Sequence, residues 1–188
     1  MDMAGVVFLN RLTQNIAHMA DLALLLSSRI FGLALFLALT AFLAWRLRPG
    51  WRVVLSMGLA FAITDNVGHR LLKPMIARAR PCLVNHALFI PAGCGSGFSM
   101  PSLHAANAFA IAVLATMLWP KTASIVFPLA IAIALSRVGL GVHYLSDIVV
   151  GAMFGSLVGV ALGLSLGRGI RDKYSAFAGA QDMARSLK

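Results

Sequence analysis

The chain has 188 residues, of which 60% are hydrophobic and only 12% are charged, and its formal net charge is +10. Soluble domains carry about 25% charged residues, so this composition excludes an ordinary soluble protein. It indicates one integral membrane domain over residues 1–188. Basic residues at membrane edges explain the charge better than nucleic-acid binding, so we expect no nucleic-acid partner.

The N-terminal segment, residues 1–20, is too polar to cross a bilayer. Apolar residues recur there at helical spacing: Phe8, Leu12, Ile16 and Met19. Polar residues fall between them, and the pattern predicts an amphipathic helix lying at the membrane interface. An ordinary packing helix is the alternative.

Five apolar segments follow, so we predict an all-α integral membrane bundle with about five transmembrane helices. They run from Leu22 to Trp45, Val53 to Leu72, Pro101 to Trp119, Thr122 to Ser136 and Ile148 to Gly167. Some are shorter than the ~20 residues that a span needs. We therefore expect their polar ends to continue as helix into a buried or watery pocket.

The basic residues predict an orientation for this bundle. One end would carry Arg46, Arg48, Arg52, Lys121, Arg168, Arg171, Lys173, Arg185 and Lys188. The other would carry Arg11, Arg29, Arg70, Lys73, Arg78, Arg80 and Arg137. If Lys73, Arg80 and Arg137 serve a binding site, they do not count as loop charge, and the first end is cytoplasmic. Residues 73–100 would then form an extracytoplasmic loop.

Glycines recur every four residues in the last apolar segment: Gly151, Gly155, Gly159, Gly163 and Gly167. Small residues at this spacing let a neighbouring helix approach closely. We interpret the stripe as packing that fixes where His143, at the outer end of the same segment, points.

Three polar stretches interrupt the apolar pattern. Residues 73–81 carry cations and no acid, which alone would suggest a basic membrane-surface loop. In residues 99–105, Pro101 fits the first turn of a helix, whose free N–H groups form an anion site beside Ser102 and His104. A capped helix with an interior histidine is the alternative.

The third stretch, residues 136–147, places His143 and Asp147 four positions apart, so on a helix they share one face. A carboxylate there can hold one imidazole nitrogen and leave the other free to attack. Arg137 has a guanidinium that suits a phosphate. A capped helix end with an ion pair is the alternative.

Together the three stretches resemble the signature of the type 2 phosphatidic acid phosphatase superfamily, the lipid phosphatases related to vanadium haloperoxidases. Residues 73–81 match its first motif, Lys, six residues, Arg-Pro; residues 136–147 match its third, Ser-Arg, five residues, His, three residues, Asp. Residues 101–104 match its second, Pro-Ser-Gly-His, except that Leu103 replaces the Gly. The N–H of Leu103 remains, but its side chain needs room beside the phosphate.

The resemblance implies phosphoryl transfer through a phosphohistidine. His143 would attack phosphorus, Asp147 would orient His143, and His104 would protonate the leaving oxygen. The phosphate oxygens would be bound by Lys73, Arg80, Ser102, Arg137 and the backbone N–H of Leu103. No metal ion or other cofactor is expected, because side chains supply the positive charge.

Cys82 and Cys94 are the only cysteines, and both lie in the loop before the third apolar segment. An extracytoplasmic loop would allow a disulfide between them. Two free thiols are an alternative, and a metal site with His86 is a weaker one, since three ligands lack a fourth.

Three classes of function compete: a lipid phosphatase at the outer membrane face, a phosphotransferase with the same site, and a non-catalytic lipid carrier or channel. The intact His143, Asp147 and His104 argue against the last. The family accepts phosphatidic acid, phosphatidylglycerophosphate, lipid A phosphate and isoprenyl diphosphates. Small and apolar residues over 87–100 favour undecaprenyl diphosphate. We therefore expect a bacterial inner-membrane enzyme facing the periplasm; the oligomeric state stays open.

Overall fold

The computed structural model describes residues 2–47 and 49–166, and within them the chain is helical. The helices are α1 (Asp2–Asn15), α2 (Met19–Ser27), α3 (Arg29–Arg46), α4 (Gly50–Val67), α5 (Lys73–Ile76), α6 (Pro81–Val84), α7 (Leu103–Leu118), α8 (Ala123–Gly139) and α9 (Leu145–Ser165). A π turn (Gly68–Leu72) joins α4 to α5, and a 3-10 turn (Pro120–Thr122) precedes α8.

The predicted all-α membrane bundle is confirmed, although the count of five spans is not fixed. Within the described residues, three helical segments are long and apolar enough to cross a membrane: Arg29–Arg46, Pro120–Gly139 and Leu145–Ser165. The apolar α7 is shorter but central, because it packs against α4, α8 and α9. The chain is a multi-pass membrane protein.

The first predicted apolar segment, Leu22 to Trp45, is not one helix. It breaks at Ser28, whose backbone is extended, so that α2 ends at Ser27 and α3 begins at Arg29. The Ser28 hydroxyl accepts the N–H of Phe31 at 3.5 Å, and serine is a favoured residue at this position. The break leaves the carbonyl of Ser27 free to bond outside its own helix.

The boundaries of two other segments also differ from prediction. The second helix continues through the π turn and α5 to Ile76, so Lys73 stands on helix and the loop starts at Ala77, a left-handed residue. The third helix begins at Leu103, because Ser102 precedes it with extended backbone. Pro101, which follows a cis peptide bond, therefore lies outside the first turn where it was predicted.

The N-terminal helix α1 ends at Asn15 and packs against α8 through a partly polar stripe that includes Val6, Asn10 and Thr13. Asn10 donates to the carbonyls of Phe89 (2.7 Å) and Gly139 (2.8 Å). Helix α1 therefore packs on the bundle, which is compatible with the predicted position at the membrane interface. Phe8, on the predicted apolar stripe, is 63% exposed. Contact of that stripe with lipid stays a prediction.

The glycine stripe packs as predicted over Gly151 to Gly163, while Gly167 lies outside the described residues. A methyl group added at Gly155 would collide with the Ala106 carbonyl, and one at Gly159 would lie 2.7 Å from the Ala110 carbonyl oxygen. Gly151 faces the carbonyl oxygen of Ser102 in the same way. Helices α7 and α9 thus touch through backbone, which fixes their N-terminal ends relative to each other.

Candidate active site

His143 and Asp147 meet at the start of α9. His143 precedes the helix in a loop instead of lying on it, yet its Nδ1 is 3.3 Å from Asp147 Oδ2. Asp147 occupies the first turn, where its Oδ2 also accepts the backbone N–H of Tyr144 at 2.8 Å and the hydroxyl of Ser99. An acidic residue capping its own helix start in this way is held rigidly. The carboxylate is fully buried.

The other imidazole nitrogen of His143 faces Arg80. Arg80 Nη1 is 3.4 Å from His143 Nε2 and donates to the carbonyl of Val142 at 3.0 Å, while its Nε donates to the carbonyl of Gly97 at 3.1 Å. A guanidinium can only donate and a carboxylate can only accept. These two neighbours therefore assign the proton to Nδ1 and the lone pair to Nε2.

Burial lowers the pKa of His143 to about 4; the hydrogen bond to Asp147 opposes this shift and the charges of Arg80 and Arg137 reinforce it. The imidazole is therefore neutral near pH 7. A neutral imidazole with a free Nε2 lone pair is the form that can act as a nucleophile.

Lys73 and Arg137, from two other elements, add further positive charge near the His143–Asp147 pair. Lys73 of α5 donates to the carbonyls of Phe98 and Ser99, and burial, followed by the charge of Arg80, lowers its pKa to about 8. The charge of Arg137, on α8, acts on Lys73 and on His143. A cluster of like charges held this close favours an anion between them.

Two buried polar atoms of this cluster lack a hydrogen-bond partner in the described structure, Ser102 Oγ and Arg137 Nε. Buried donors are almost always satisfied in folded proteins, so these two atoms are available to a bound ligand. Ser102 also precedes the first turn of α7, whose initial N–H groups have no acceptor within the helix. The pair and the helix start together suit an oxyanion.

His104 lies on the first turn of α7, at the break between α2 and α3. Its Nε2 is 3.1 Å from the carbonyl oxygen of Ser27, the group that the break leaves free. A carbonyl only accepts, so Nε2 carries the proton. The charges of Arg137 and His143 act on His104, which places it in the same cluster.

The side chain of Leu103 packs against the π turn. Its Cδ2 packs against Gly68 of the π turn, where any side chain would collide with it, and Phe154 of α9 lies beside the same gap. The missing side chain at Gly68 thus provides the room that Leu103 was expected to need beside the phosphate.

Sequence reasoning missed two residues that contact the carboxylate of Asp147. Ser99 donates to Oδ2, and Arg78 Nη1 donates to Oδ1 at 2.8 Å. The predicted orientation counted Arg78 as loop charge. Its place in the cationic run 73–81 was the only signal, and nothing in the sequence distinguished Ser99.

Cys82 and Cys94 form a disulfide, with their Cα atoms 5.8 Å apart. The bond closes the loop directly after Arg80 and Pro81. Among the described residues, no group of three or more His, Cys, Asp or Glu side chains is gathered as a metal site would require. Of the three sequence alternatives for the cysteines, the structure has the disulfide.

Curated relatives cover parts of this chain. It is 32% identical over 120 residues to a lipid A 4'-phosphatase of Bacteroides thetaiotaomicron. The matched region covers 58% of this chain and 53% of that protein. It is 41% identical over 93 residues to a decaprenylphosphoryl-5-phosphoribose phosphatase of Mycobacterium tuberculosis, covering 47% and 48% respectively. The chain spans about half the length of these relatives.

The fold matches a solved structure, titled as the first transmembrane PAP2 type phosphatidylglycerolphosphate phosphatase from Bacillus subtilis. The TM-score is 0.69 at 24% identity, over 92% of this chain and 85% of that one. The family model described as the PAP2 superfamily matches residues 49–168, which is more than half of the chain and includes all three motifs. The chain therefore belongs to the PAP2 superfamily.

Proposed function

We propose that this protein is a membrane lipid phosphatase that works through a phosphohistidine on His143. One observation carries the proposal: His143 Nδ1 lies 3.3 Å from the buried carboxylate of Asp147, while Nε2 faces the cation cluster. The imidazole is thus oriented with its nucleophilic nitrogen toward the place where an anion binds.

In the first step, the Nε2 lone pair of His143 forms a bond to phosphorus, and the bond from phosphorus to the lipid oxygen breaks. Lys73, Arg80 and Arg137, with Ser102 and the N–H of Leu103, stabilise the charge on the phosphoryl oxygens. For this step His104 must be the imidazolium: its other ring nitrogen gives a proton to the leaving oxygen, while Nε2–H stays on the carbonyl of Ser27. Asp147 stabilises the imidazolium that forms.

In the second step, water attacks phosphorus, the phosphorus–nitrogen bond breaks, and His104 accepts the water proton. Inorganic phosphate leaves and both histidines return to their starting forms. We propose that no metal ion takes part, because the side-chain cations can meet the phosphoryl charge. Transfer to a second lipid instead of water would make the protein a phosphotransferase, which phosphate release assayed with defined lipids distinguishes.

For the substrate we propose undecaprenyl diphosphate, with undecaprenyl phosphate as the leaving group. A phosphate monoester leaves more readily than an alkoxide, which lessens the demand on His104. The small and apolar residues over 87–100 suit a long uncharged tail and present no acidic cluster for a glycerol or sugar. A decaprenyl chain in the name of one relative also supports a polyprenyl lipid.

A phosphate on the sugar of a lipid is the second candidate, because the named substrates of both curated relatives carry one. Phosphatidylglycerophosphate and phosphatidic acid are weaker candidates, because neither curated relative is named for a glycerol-linked phosphate. Catalytic efficiency measured side by side on undecaprenyl diphosphate, lipid A, phosphatidylglycerophosphate and phosphatidic acid decides between them. A preference for a glycerol- or sugar-linked phosphate would reject undecaprenyl diphosphate and leave the lipid phosphatase proposal standing.

We also propose that the site faces the periplasm from a bacterial inner membrane. The disulfide between Cys82 and Cys94 supports this, because disulfides persist in oxidising compartments. A membrane-impermeant thiol reagent should label Ala87→Cys, at an exposed position beside the site, in intact cells. Lys121→Cys, exposed on the 3-10 turn, should label only after lysis. The reverse pattern would overturn the orientation.

The nucleophile is tested with His143→Ala against His86→Ala, an exposed histidine of the nearby loop. His143→Ala should abolish turnover and the acid-labile phosphate found on rapidly quenched protein, whereas His86→Ala should retain both. Retention of most activity by His143→Ala would contradict the proposal.

A further inference from the structure

Arg78 ties the site to the first residues of the chain. Its Nη1 donates to Asp147 Oδ1 at 2.8 Å and to the hydroxyl of Ser146 at 2.5 Å, and its Nη2 donates to Asp2 Oδ2 at 2.6 Å. Its guanidinium also lies over the ring of Tyr144, 3.8 Å from the centroid. The group is therefore held on both edges and on one face.

The carboxylate of Asp147 needs such a partner. It is fully buried, and an uncompensated charge in that position is strongly unfavourable. Oδ2 is occupied by His143, Tyr144 and Ser99, so Arg78 supplies the cation to Oδ1. Without it, the carboxylate would gain affinity for a proton and would cease to be a reliable acceptor for His143 Nδ1–H.

Asp2 holds Arg78 from the opposite side. Besides its contact with Arg78, Asp2 accepts from both the backbone N–H and the hydroxyl of Ser146, at the start of α9. Asp2 belongs to α1, outside the residues 49–168 of the family match. The first turn of α1 thus reaches the element that carries Asp147.

We propose that Arg78 is a positioning residue for the His143–Asp147 pair and that Asp2, at the start of α1, holds Arg78 against Asp147. The proposal gives α1 a part in the chemistry and rests on the proposed role of His143. Arg78 does not bind phosphate, because its donors are directed to Asp147, Ser146 and Asp2, and Arg80 occupies the Nε2 side of the imidazole.

The test compares Arg78→Gln, Arg78→Lys and Asp2→Asn with Arg70→Gln, a change at an exposed cation of the π turn. Arg78→Gln should lower kcat on the order of tenfold to a hundredfold with KM little changed, because the phosphate contacts stay while the imidazole orientation is lost. Arg78→Lys, which keeps the charge, should recover part of the loss, and Arg70→Gln should change neither constant. A rise in KM at constant kcat in Arg78→Gln would make Arg78 a phosphate ligand and overturn the proposal.

A second readout does not need turnover, so it separates this proposal from that of the phosphatase activity. The chemical shift of the His143 ring, followed by NMR against pH on protein labelled at histidine, reports when the imidazole loses its proton. The charged or titratable groups that face the pair are Arg78, Arg80, Lys73, Arg137, His104 and Tyr144, with Asp2 on the far side of Arg78. Removing Arg78 should move the His143 midpoint up by about one pH unit.

Asp2→Asn is the most decisive variant, because two mechanisms predict opposite shifts in the pH midpoint of His143. If Asp2 holds Arg78 in place, its loss lets Arg78 move away from Asp147, and the midpoint of His143 should rise. If Asp2 acts only as a distant negative charge, its loss should lower the midpoint. A lowered midpoint would refute the part proposed for Asp2, and an unchanged midpoint in Arg78→Gln would refute the part proposed for Arg78.

Discussion

The contact between α7 and α9 should be sensitive to a single methyl group at Gly155. A Cβ there would lie 2.8 Å from the carbonyl carbon of Ala106 and 2.9 Å from its Cα, with the carbonyl oxygen closer still. Van der Waals contact begins at 3.4 Å, so the helices must separate by about 0.6 Å or more. The obstacle is backbone, which cannot rotate away as a side chain does.

Gly155 lies two turns from Asp147, about 12 Å along α9. A separation there tilts the start of α9, with Asp147, away from Ser102 and His104 at the start of α7. If 1 Å of misplacement costs about a hundredfold in rate, a shift of this size should lower kcat on the order of tenfold. Overpacking should also cost about 1–3 kcal/mol in the free energy of unfolding.

Gly58→Ala is the matched control, since a methyl group at this exposed position of α4 meets nothing within 4 Å. Thermal unfolding in detergent and phosphate release should be measured on both variants. Gly155→Ala should melt about 3–9 °C below Gly58→Ala for a chain of this size. Equal melting temperatures and equal turnover would refute the claim that backbone contact between α7 and α9 sets the site.

Three further predictions concern pH and metals. Because burial lowers the pKa of Lys73 to about 8, kcat/KM should fall above that pH as the free enzyme loses this charge, and Lys73→Arg should move the fall to higher pH. The pKa of His143 is about 4 in the folded protein and 6.5 for an ordinary histidine, so the unfolded chain binds more protons between these two pH values. The free energy of unfolding should therefore decline as the pH falls from 6.5 to 4. Denaturant titrations should show a smaller decline for His143→Asn. Phosphate release should survive excess EDTA and be inhibited by vanadate, and a loss that Mg²⁺ or Zn²⁺ restores would contradict the metal-free mechanism.

The membrane bundle and the glycine contact could be predicted from the sequence because each follows from a local pattern. The bundle follows from the apolar segments, and the contact follows from glycines spaced every four residues. The break at Ser28 could not, since apolar residues continue across it and only the serine signals a helix start. The prediction that His143 and Asp147 lie on one helix was wrong for a local reason. Gly141, in the left-handed region at φ 71°, follows the end of α8, and α9 starts only after Tyr144. The contact itself survives because Asp147 reaches back over its own helix start.

Residues of the three motifs meet in the structure, as the family resemblance implied. What the motifs could not reveal is the support around them. Asp2 and Ser146 are 144 positions apart, and their contact depends on how α1 packs, a matter of tertiary structure. Arg78 shows the same limit: its spacing from Arg80 does not say that one faces the carboxylate and the other the imidazole.

The position of Arg80 bears on which membrane lipids can reach His143. Arg80 directs a donor at His143 Nε2, so a phosphoryl group can reach this nitrogen only when the guanidinium moves toward the phosphate oxygens. A terminal phosphate with two negative charges attracts it more strongly than a phosphodiester with one. Most phospholipids of the surrounding bilayer are diesters, so the stronger attraction of a terminal phosphate for Arg80 should favour lipids that end in a free phosphate.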